Sequence, residues 1–321
     1  MELKDSELRN WDQRRLRVSR SKREQLLKQV ANLIDSLKKH IPASSPFKVE
    51  RFRRAGSLRK ATAVHPRGDT GIDADIAVYL DTSEASDYDL ATMHGTLREI
   101  VRGVYPTKED EDFWIQPHTL GMQFRASGLA VDLVPLIAIG GETEEAWMVS
   151  ANGTREAKTS IPAHLSFVGD LAKDDRRYRP LVRMCKTWRN QAELGHELSS
   201  FAIELILAHL QFEEGGAPSL EEGLQRFFLF VAQSQLVVPI LSRHASGPDV
   251  TGPVILDPHN SANNVASRMT DSDRREIVET ATNAWEALMT AHHAGTKTET
   301  HSLWREVFGS HFAVDAEPVA V

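Results

Sequence analysis

The chain reads as an α+β protein of two lobes, and three observations predict this. Strand-like alternation fills the stretch from Phe47 to Thr159, helical periodicity takes over after Pro162, and one amphipathic helical segment precedes both. A mixed sheet followed by a run of helices is an α+β layout. The length of 321 residues exceeds one small domain and suits two lobes, placed here at 1–165 and 166–321.

The opening segment, Leu8 to His40, has no Gly or Pro, and Leu26, Val30, Leu33 and Leu37 recur at spacings of four, three and four. That spacing predicts one long helix packed along a larger body. Pro42 to Pro46 breaks it. Phe47–Phe52 then reads as a short strand ending at Gly56-Ser57. Ile72–Leu80 is a strand with Ile72, Ala74, Ile76, Val78 and Leu80 on one face. Leu90–Arg102 is helical. Met122–Ala126 and Leu129–Ile139 are strands joined by Ser127-Gly128, and Asn152-Gly153 turns a hairpin between Trp147–Ser150 and Arg155–Thr159. Tyr178–Gln191, Ser200–Phe212, Leu220–Leu236 and Asp271–Ala294 read as helices. The tail after Phe312 is expected to fray.

Composition excludes several classes. Hydrophobic residues make up 41% and charged residues 26%, so wholesale disorder is excluded. A single cysteine, Cys185, rules out an intrachain disulfide framework and any zinc finger built on several thiolates. The first ten residues carry charge where a signal peptide needs an apolar run. No apolar stretch approaches the roughly 18 residues of a membrane span. A soluble, cytoplasmic protein is expected. The net charge of −7 divides unevenly, with +10 on residues 1–60 and −17 on the rest. Such a basic segment suggests an anionic partner, although Arg14, Arg15, Arg17, Lys22 and Arg23 equally suit the solvated face of a helix.

The chemistry centres on Asp73 and Asp75. They stand two residues apart on one strand, so both carboxylates leave the same face while the opposite face is apolar. Asp132 lies in Leu129-Ala-Val-Asp-Leu-Val-Pro135, where an isolated carboxylate is costly unless paired or metal-bound. Three carboxylates on neighbouring strands are hard oxygen ligands suited to Mg²⁺ or Mn²⁺, and a pair of such ions can clamp an in-line displacement at phosphorus. The alternative is that Asp73 and Asp75 border a strand edge while Asp132 pairs with an arginine. Gly56-Ser57 precedes this strand, where a glycine admits phosphate oxygens to backbone amides and a serine hydroxyl can donate to them. Lys186 and Ser200 taken alone read as a surface lysine and a helix N-cap. Glu204, amid apolar neighbours, reads as a buried and paired structural carboxylate, and Cys185 as a packing residue.

In order and spacing, these pieces resemble the cGAS/DncV-like nucleotidyltransferases (CD-NTases), relatives of animal cGAS and the 2′-5′-oligoadenylate synthetases. The matching segments are Gly56-Ser57-Leu-Arg-Lys-Ala-Thr62, Ile72-Asp-Ala-Asp-Ile-Ala-Val78, Val131-Asp-Leu-Val-Pro135, Lys186-Thr-Trp188 and Ser200-Phe-Ala-Ile-Glu-Leu205. Val254-Ile-Leu-Asp-Pro-His-Asn-Ser-Ala-Asn-Asn-Val265 and Trp304-Arg-Glu-Val-Phe-Gly309 extend the match almost end to end.

The resemblance implies a two-lobed, polymerase beta-like nucleotidyltransferase fold whose first helix is a spine. It implies two Mg²⁺ ions on Asp73, Asp75 and Asp132, and a triphosphate held by Gly56, Ser57, Lys186 and Ser200. It places Asp257 near a nucleobase, although its Asp-Pro context equally suits a turn. The implied activity is template-independent joining of ribonucleoside triphosphates, ATP included, into a cyclic di- or trinucleotide messenger for anti-phage (CBASS) signalling, with release of pyrophosphate. An effector would then be reached through the product, and a regulatory protein is an expected partner. The zinc-binding insertion of animal cGAS is absent, which argues against activation by DNA. A linear 2′-5′ synthetase, or nucleotidyl transfer to RNA or protein, keeps the chemistry with a different product. The intact set of three acids argues against a non-catalytic nucleotide- or RNA-binding module, which has no need of two metals.

Overall fold

The computed structural model describes residues 1–41, 47–66, 71–195, 197–241, 252–310 and 312–314. The breaker at 42–46, residues 67–70 of the segment before Asp73 and the tail from 315 lie outside the described residues. The chain divides into two compact units. A sheet unit spans Val18–Phe167, and a helical unit combines Met1–Arg17 with Val168–Val321.

The sheet unit begins with helix α2 (Arg20–His40), which follows α1 (Asp5–Trp11) in the chain. Strand β1 (Lys48–Arg54), the short helix α3 (Gly56–Lys60), β2 (Ile72–Asp81), α4 (Asp87–Val104), β3 (Phe113–Ile115), β4 (Leu120–Phe124), β5 (Leu129–Gly140), β6 (Glu145–Val149) and β7 (Arg155–Thr159) follow. The strands form one sheet of order β1-β2-β5-β4-β3, with β6 paired to both β5 and β7. Only β2 and β5 run parallel; the other named pairs are antiparallel. The expected mixed sheet is therefore present.

Its core lies on one face. Ile72, Ala74, Ile76, Val78 and Leu80 of β2 join Leu129, Val131, Leu133 and Ile137 of β5, as the alternation predicts. Leu26, Val30, Leu33 and Leu37 of α2 and Met93, Leu97 and Val101 of α4 complete the cluster. Each such side chain contributes about 1.5–3 kcal/mol on burial, so this face fixes which residues of β2 and β5 point the other way. On that other face, Ala77, Tyr79, Leu136 and Ala146 form a small apolar patch. It covers the later part of the strands and leaves their beginnings to the acids.

The turns match their residues. Gly128 adopts φ +67° between β4 and β5. Gly153 adopts φ +86° between β6 and β7, where a Cβ would stand 2.7 Å from the backbone nitrogen of Ala91. Asn152 Oδ1 accepts from Ser150 Oγ and from Thr154 N at 3.1 Å.

The single helix expected over 8–40 is interrupted. After α1 the chain makes a π-helical turn at Asp12–Leu16, with Arg17 N donating to Asp12 O at 2.7 Å. Ser19 then starts α2 by accepting from Lys22 N at 3.2 Å. A long-range ion pair anchors the turn: Arg183 Nε and NH2 reach the two oxygens of Asp12 at 2.7 and 2.6 Å, and both residues are buried. Together with the bonds of Leu3 N to Glu221 and Leu220 N to Asp5, this pair ties residues 1–17 to the helical unit.

That unit contains α6 (Tyr178–Gln191), α7 (Ser200–Glu214), α8 (Leu220–Ser234), α9 (Asp271–His293) and α10 (Lys297–Phe308), while α5 (Ile161–Asp174) carries the chain into it. Helices α5 and α10 and strand β3 are additions to the sequence reading. Trp11 of α1 packs edge-on against Phe308 and Phe312, with ring centroids 5.1 and 4.9 Å away. No described helix is long and apolar enough to cross a membrane.

The Asp12–Arg183 pair generates a stability prediction. Removing one member strands a buried charge, so Asp12→Ala is expected to lower stability by about 3–5 kcal/mol in urea denaturation. The double exchange Asp12→Leu with Arg183→Met is expected to cost less than Asp12→Ala alone, because it removes both desolvated charges.

Candidate active site

The parallel pairing of β2 and β5 places Asp75 and Asp132 as direct partners, with Ile76 opposite Leu133 and Asp73 opposite Ala130. Partners on adjacent strands lie about 4.8 Å apart and point to the same face. Asp73, two residues before Asp75, shares that face. The three carboxylates thus stand together on the side of the sheet away from its main core.

Their electrostatics reflect this crowding. Burial raises the Asp132 carboxyl to about 6, assisted by the neighbouring charges of Asp75 and Asp73 and opposed by a hydrogen bond from Thr119. Asp132 Oδ1 is buried and accepts no hydrogen bond. Asp73 has an open surface, yet its carboxyl lies deep enough among neighbouring atoms that desolvation raises it above the ordinary carboxylate range. Like charges at this spacing are costly, and a hard divalent cation would relieve the repulsion. The orphaned oxygen and the all-carboxylate donor set fit such an ion. Among the described residues, no three His, Cys, Asp or Glu side chains are already drawn into a closed metal cage.

Gly56 abuts this set. It opens α3 at φ +62°, and a Cβ there would fall 1.5 Å from Asp75 Oδ2. The glycine is therefore required twice, for its backbone conformation and for the close approach of Asp75. Ala55 N donates to Asp75 O at 2.8 Å, which ties the start of α3 to β2. Ser57 follows on α3. Its carbonyl accepts from Thr62 N at 2.9 Å and Ala63 N at 3.2 Å, and its half-buried hydroxyl has no hydrogen-bond partner among the described residues.

On the other side of Asp132 its β4 partner is Gly121, and a Cβ there would fall 2.0 Å from the Trp114 indole. Trp114 on β3 thus borders the acidic face. The sequence reading omitted it because a three-residue strand carries too few alternations to be recognised.

The remaining expected residues lie in the helical unit. Lys186 is buried on α6, and its Nζ donates to Glu204 Oε1 at 3.0 Å. Glu204 is accordingly a buried, paired carboxylate, while Lys186 departs from the surface lysine that it resembles in isolation. The N-cap of α7 is Ser199, which accepts from Ala202 N at 3.0 Å. Ser200 is instead the first helical residue, and its hydroxyl lies 3.0 Å from Arg189 NH1. Arg189 was not singled out from the sequence, although it stands three residues after Lys186, on the same side of α6. Cys185 is fully buried. Asp257 is buried, and its carboxylate accepts from His259 N at 2.8 Å and Asn263 Nδ2 at 3.2 Å. Those bonds organise its own loop, the turn role that the Asp-Pro context suggests.

Comparison with known proteins supplies the family. No family model matches the chain. The CBASS oligonucleotide cyclase CdnC of Escherichia coli KTE188 is 33% identical over 317 residues, covering 98% of this chain and 99% of that protein. The cyclic AMP-AMP-AMP synthase of Escherichia coli MS 115-1 is 29% identical over 307 residues, covering 93% and 94%. Among solved structures, E. coli MS115-1 CdnC in its HORMA-deltaN complex aligns with a TM-score of 0.82 at 28% identity, over 97% of this chain and 98% of that one. The Vibrio cholerae DncV cyclic AMP-GMP synthase, at 13% identity, shares the fold with a TM-score of 0.71 over 96% of each chain. With three acids together on a mixed sheet and 33% identity to a CBASS cyclase over nearly the whole chain, this chain belongs to the CD-NTase family and is a nucleotidyltransferase of the cyclic oligonucleotide synthase kind.

Proposed function

We propose that the chain joins ATP molecules at Asp73, Asp75 and Asp132 and closes the product into a cyclic trinucleotide of AMP. The observation that carries the chemistry is the register of Asp75 beside Asp132, with Asp73 on the same face and Gly56 pressed against Asp75. The product assignment follows a relative named as a cyclic AMP-AMP-AMP synthase. The choice of ATP follows an E. coli CdnC structure with ATP, which aligns with a TM-score of 0.81 at 27% identity over 97% of this chain.

Asp73, Asp75 and Asp132 would hold two Mg²⁺ ions, or Mn²⁺ in their place. When bound, these ions supply Lewis-acid chemistry, activating a ribose hydroxyl and neutralising the charge of the departing pyrophosphate. Asp132 is assigned the proton of the attacking hydroxyl by its place beside Asp75 on the neighbouring strand. The hydroxyl oxygen bonds to the α-phosphorus, the bond to the pyrophosphate oxygen breaks, and the proton passes through Asp132 to solvent. Ser57 would donate its unpartnered hydroxyl to the triphosphate. Lys186, paired with Glu204, would add its positive charge to phosphate binding. Ser200 and its neighbour Arg189, of the helical unit, would offer donors to phosphate oxygens.

A HORMA-type regulatory protein is the proposed partner, by analogy with the CdnC complex. A CBASS effector would be reached through the cyclic product.

Three outcomes test the site. Asp73→Ala combined with Asp75→Ala is expected to abolish pyrophosphate release from ATP and Mg²⁺ while circular dichroism stays unchanged; undiminished release would remove these residues from the chemistry. Gly56→Ala drives a methyl into the Asp75 carboxylate and is expected to lower kcat/KM at least a hundredfold.

The third outcome concerns pH. The Asp132 carboxyl is raised in the folded protein, so its stabilising contribution is complete below its ordinary value and is lost as pH rises through about 6. Without divalent cations, Asp132→Asn is therefore expected to stabilise the protein at pH 7.5 by on the order of 2 kcal/mol. Thermal melts should show that gain shrinking between pH 6 and pH 4.

A further inference from the structure

Lys22 and Arg23, on the first turn of α2, do not form part of a solvated basic face. Arg23 Nε donates to Leu58 O at 2.8 Å and its NH2 donates to Arg59 O at 3.1 Å. Lys22 Nζ donates to Ser127 O at 3.0 Å. Both side chains are half-buried. Successive residues on a helix diverge by about 100°, which lets them reach different loops. We propose that Arg23 and Lys22 are positioning residues for the nucleotidyl transfer proposed above, Arg23 for the phosphate-binding serine and Lys22 for the aspartate strands.

The case for Arg23 rests on the weakness of α3. Five residues form too short a helix to hold itself in water. Its last carbonyls have no intrahelical donors, and Ala61 ends it in the left-handed conformation at φ 61°. Arg23 supplies donors to two of those carbonyls, and its positive charge suits the negative end of a helix. At the other end, Gly56 fits against Asp75 and Ala55 N bonds to Asp75 O. Ser57 therefore sits on a short rod fixed at both ends, with Arg23 as the side-chain anchor at the far end.

Lys22 acts on different parts. Ser127 and Gly128 form the turn between β4 and β5. The carbonyl of Gly128 accepts from Ile72 N at 2.8 Å, immediately before Asp73. A Cβ at Gly71 would stand 2.7 Å from that same carbonyl. The turn thus joins the starts of both acid-bearing strands, and Lys22 holds the turn. Ser19 completes the arrangement by capping α2 at Lys22 N.

Two anchors on two loops predict two kinetic signatures, to be measured on the full-length chain. Arg23→Ala is expected to raise KM for ATP about tenfold, and to weaken binding of a non-reacting α,β-methylene ATP analogue as much, at an unchanged Mg²⁺ concentration for half-maximal rate. Lys22→Ala is expected to raise that Mg²⁺ concentration severalfold with analogue affinity little changed. Arg23→Lys, which keeps one donor, should recover part of the lost affinity, and it carries the same reading if Arg23→Ala does not fold. A merely structural role would reduce active protein and kcat together, moving neither KM nor the Mg²⁺ midpoint. Variants that match the wild type, or that both move the same parameter, would overturn the assignment. Failure of the catalytic reading would show in the wild-type protein itself, as no pyrophosphate from ATP, and the analogue-binding comparison would still decide the role of Arg23.

Discussion

The parallel register of β2 against β5 is the constraint on which the site depends. It sets Asp75 beside Asp132, and the apolar content of both strands fixes the face they share. A shift of one residue in either strand would send its acids into the core and its leucines and valines to the surface. Ile72, Ile76, Val78, Leu80, Val131 and Leu133 oppose that shift through burial. The core thus stabilises an arrangement that electrostatics alone would disperse. Part of this stabilisation offsets the burial and crowding of the acids, and burial first, then the charges of Asp75 and Asp73, raise the Asp132 carboxyl.

Much of this was legible in the sequence because it is local. Period-two alternation identified the core face of β2, and an acid at the centre of an apolar run identified Asp132. Asn152-Gly153 and Ser127-Gly128 gave their hairpins through their own backbone preferences. What escaped depends on partners far along the chain. No Gly or Pro marks the break after α1, which follows from the grip of Arg183, 171 residues away, on Asp12. The sequence points to Ser200 as the N-cap of α7, whereas the neighbouring Ser199 holds that place, because adjacent serines cap equally well. Lys186 reads as a surface residue until Glu204 is brought to it by the packing of α6 on α7.

Glycine identity also has to be read through contacts. Gly56 and Gly121 look alike in sequence, each as a small residue near an expected strand. The first leaves room for a carboxylate and the second for an indole ring. These two vacant Cβ positions border the acids on opposite sides, so the shape of the site depends on missing side chains as much as on present ones. The resemblance supplied Gly56 as part of its Gly-Ser pattern, while Gly121 and Trp114 had no pattern to announce them.

The excess positive charge of the first sixty residues takes on a different meaning once placed. Arg14, Arg15 and Arg17 belong to the helical unit, whereas Lys22 and Arg23 belong to the sheet unit. They do not make up one face of one helix, so the sum of +10 does not describe a surface. Arg23 directs its charge at carbonyl oxygens at the end of α3 and Lys22 at the turn between β4 and β5, and Arg51 and Arg53 of β1 pair with Glu144. A cation held at a carbonyl satisfies a backbone acceptor and fixes a loop at the same time. Two of the seventeen basic residues in that segment, Lys22 and Arg23, are therefore committed to backbone next to the acids rather than to a solvated face.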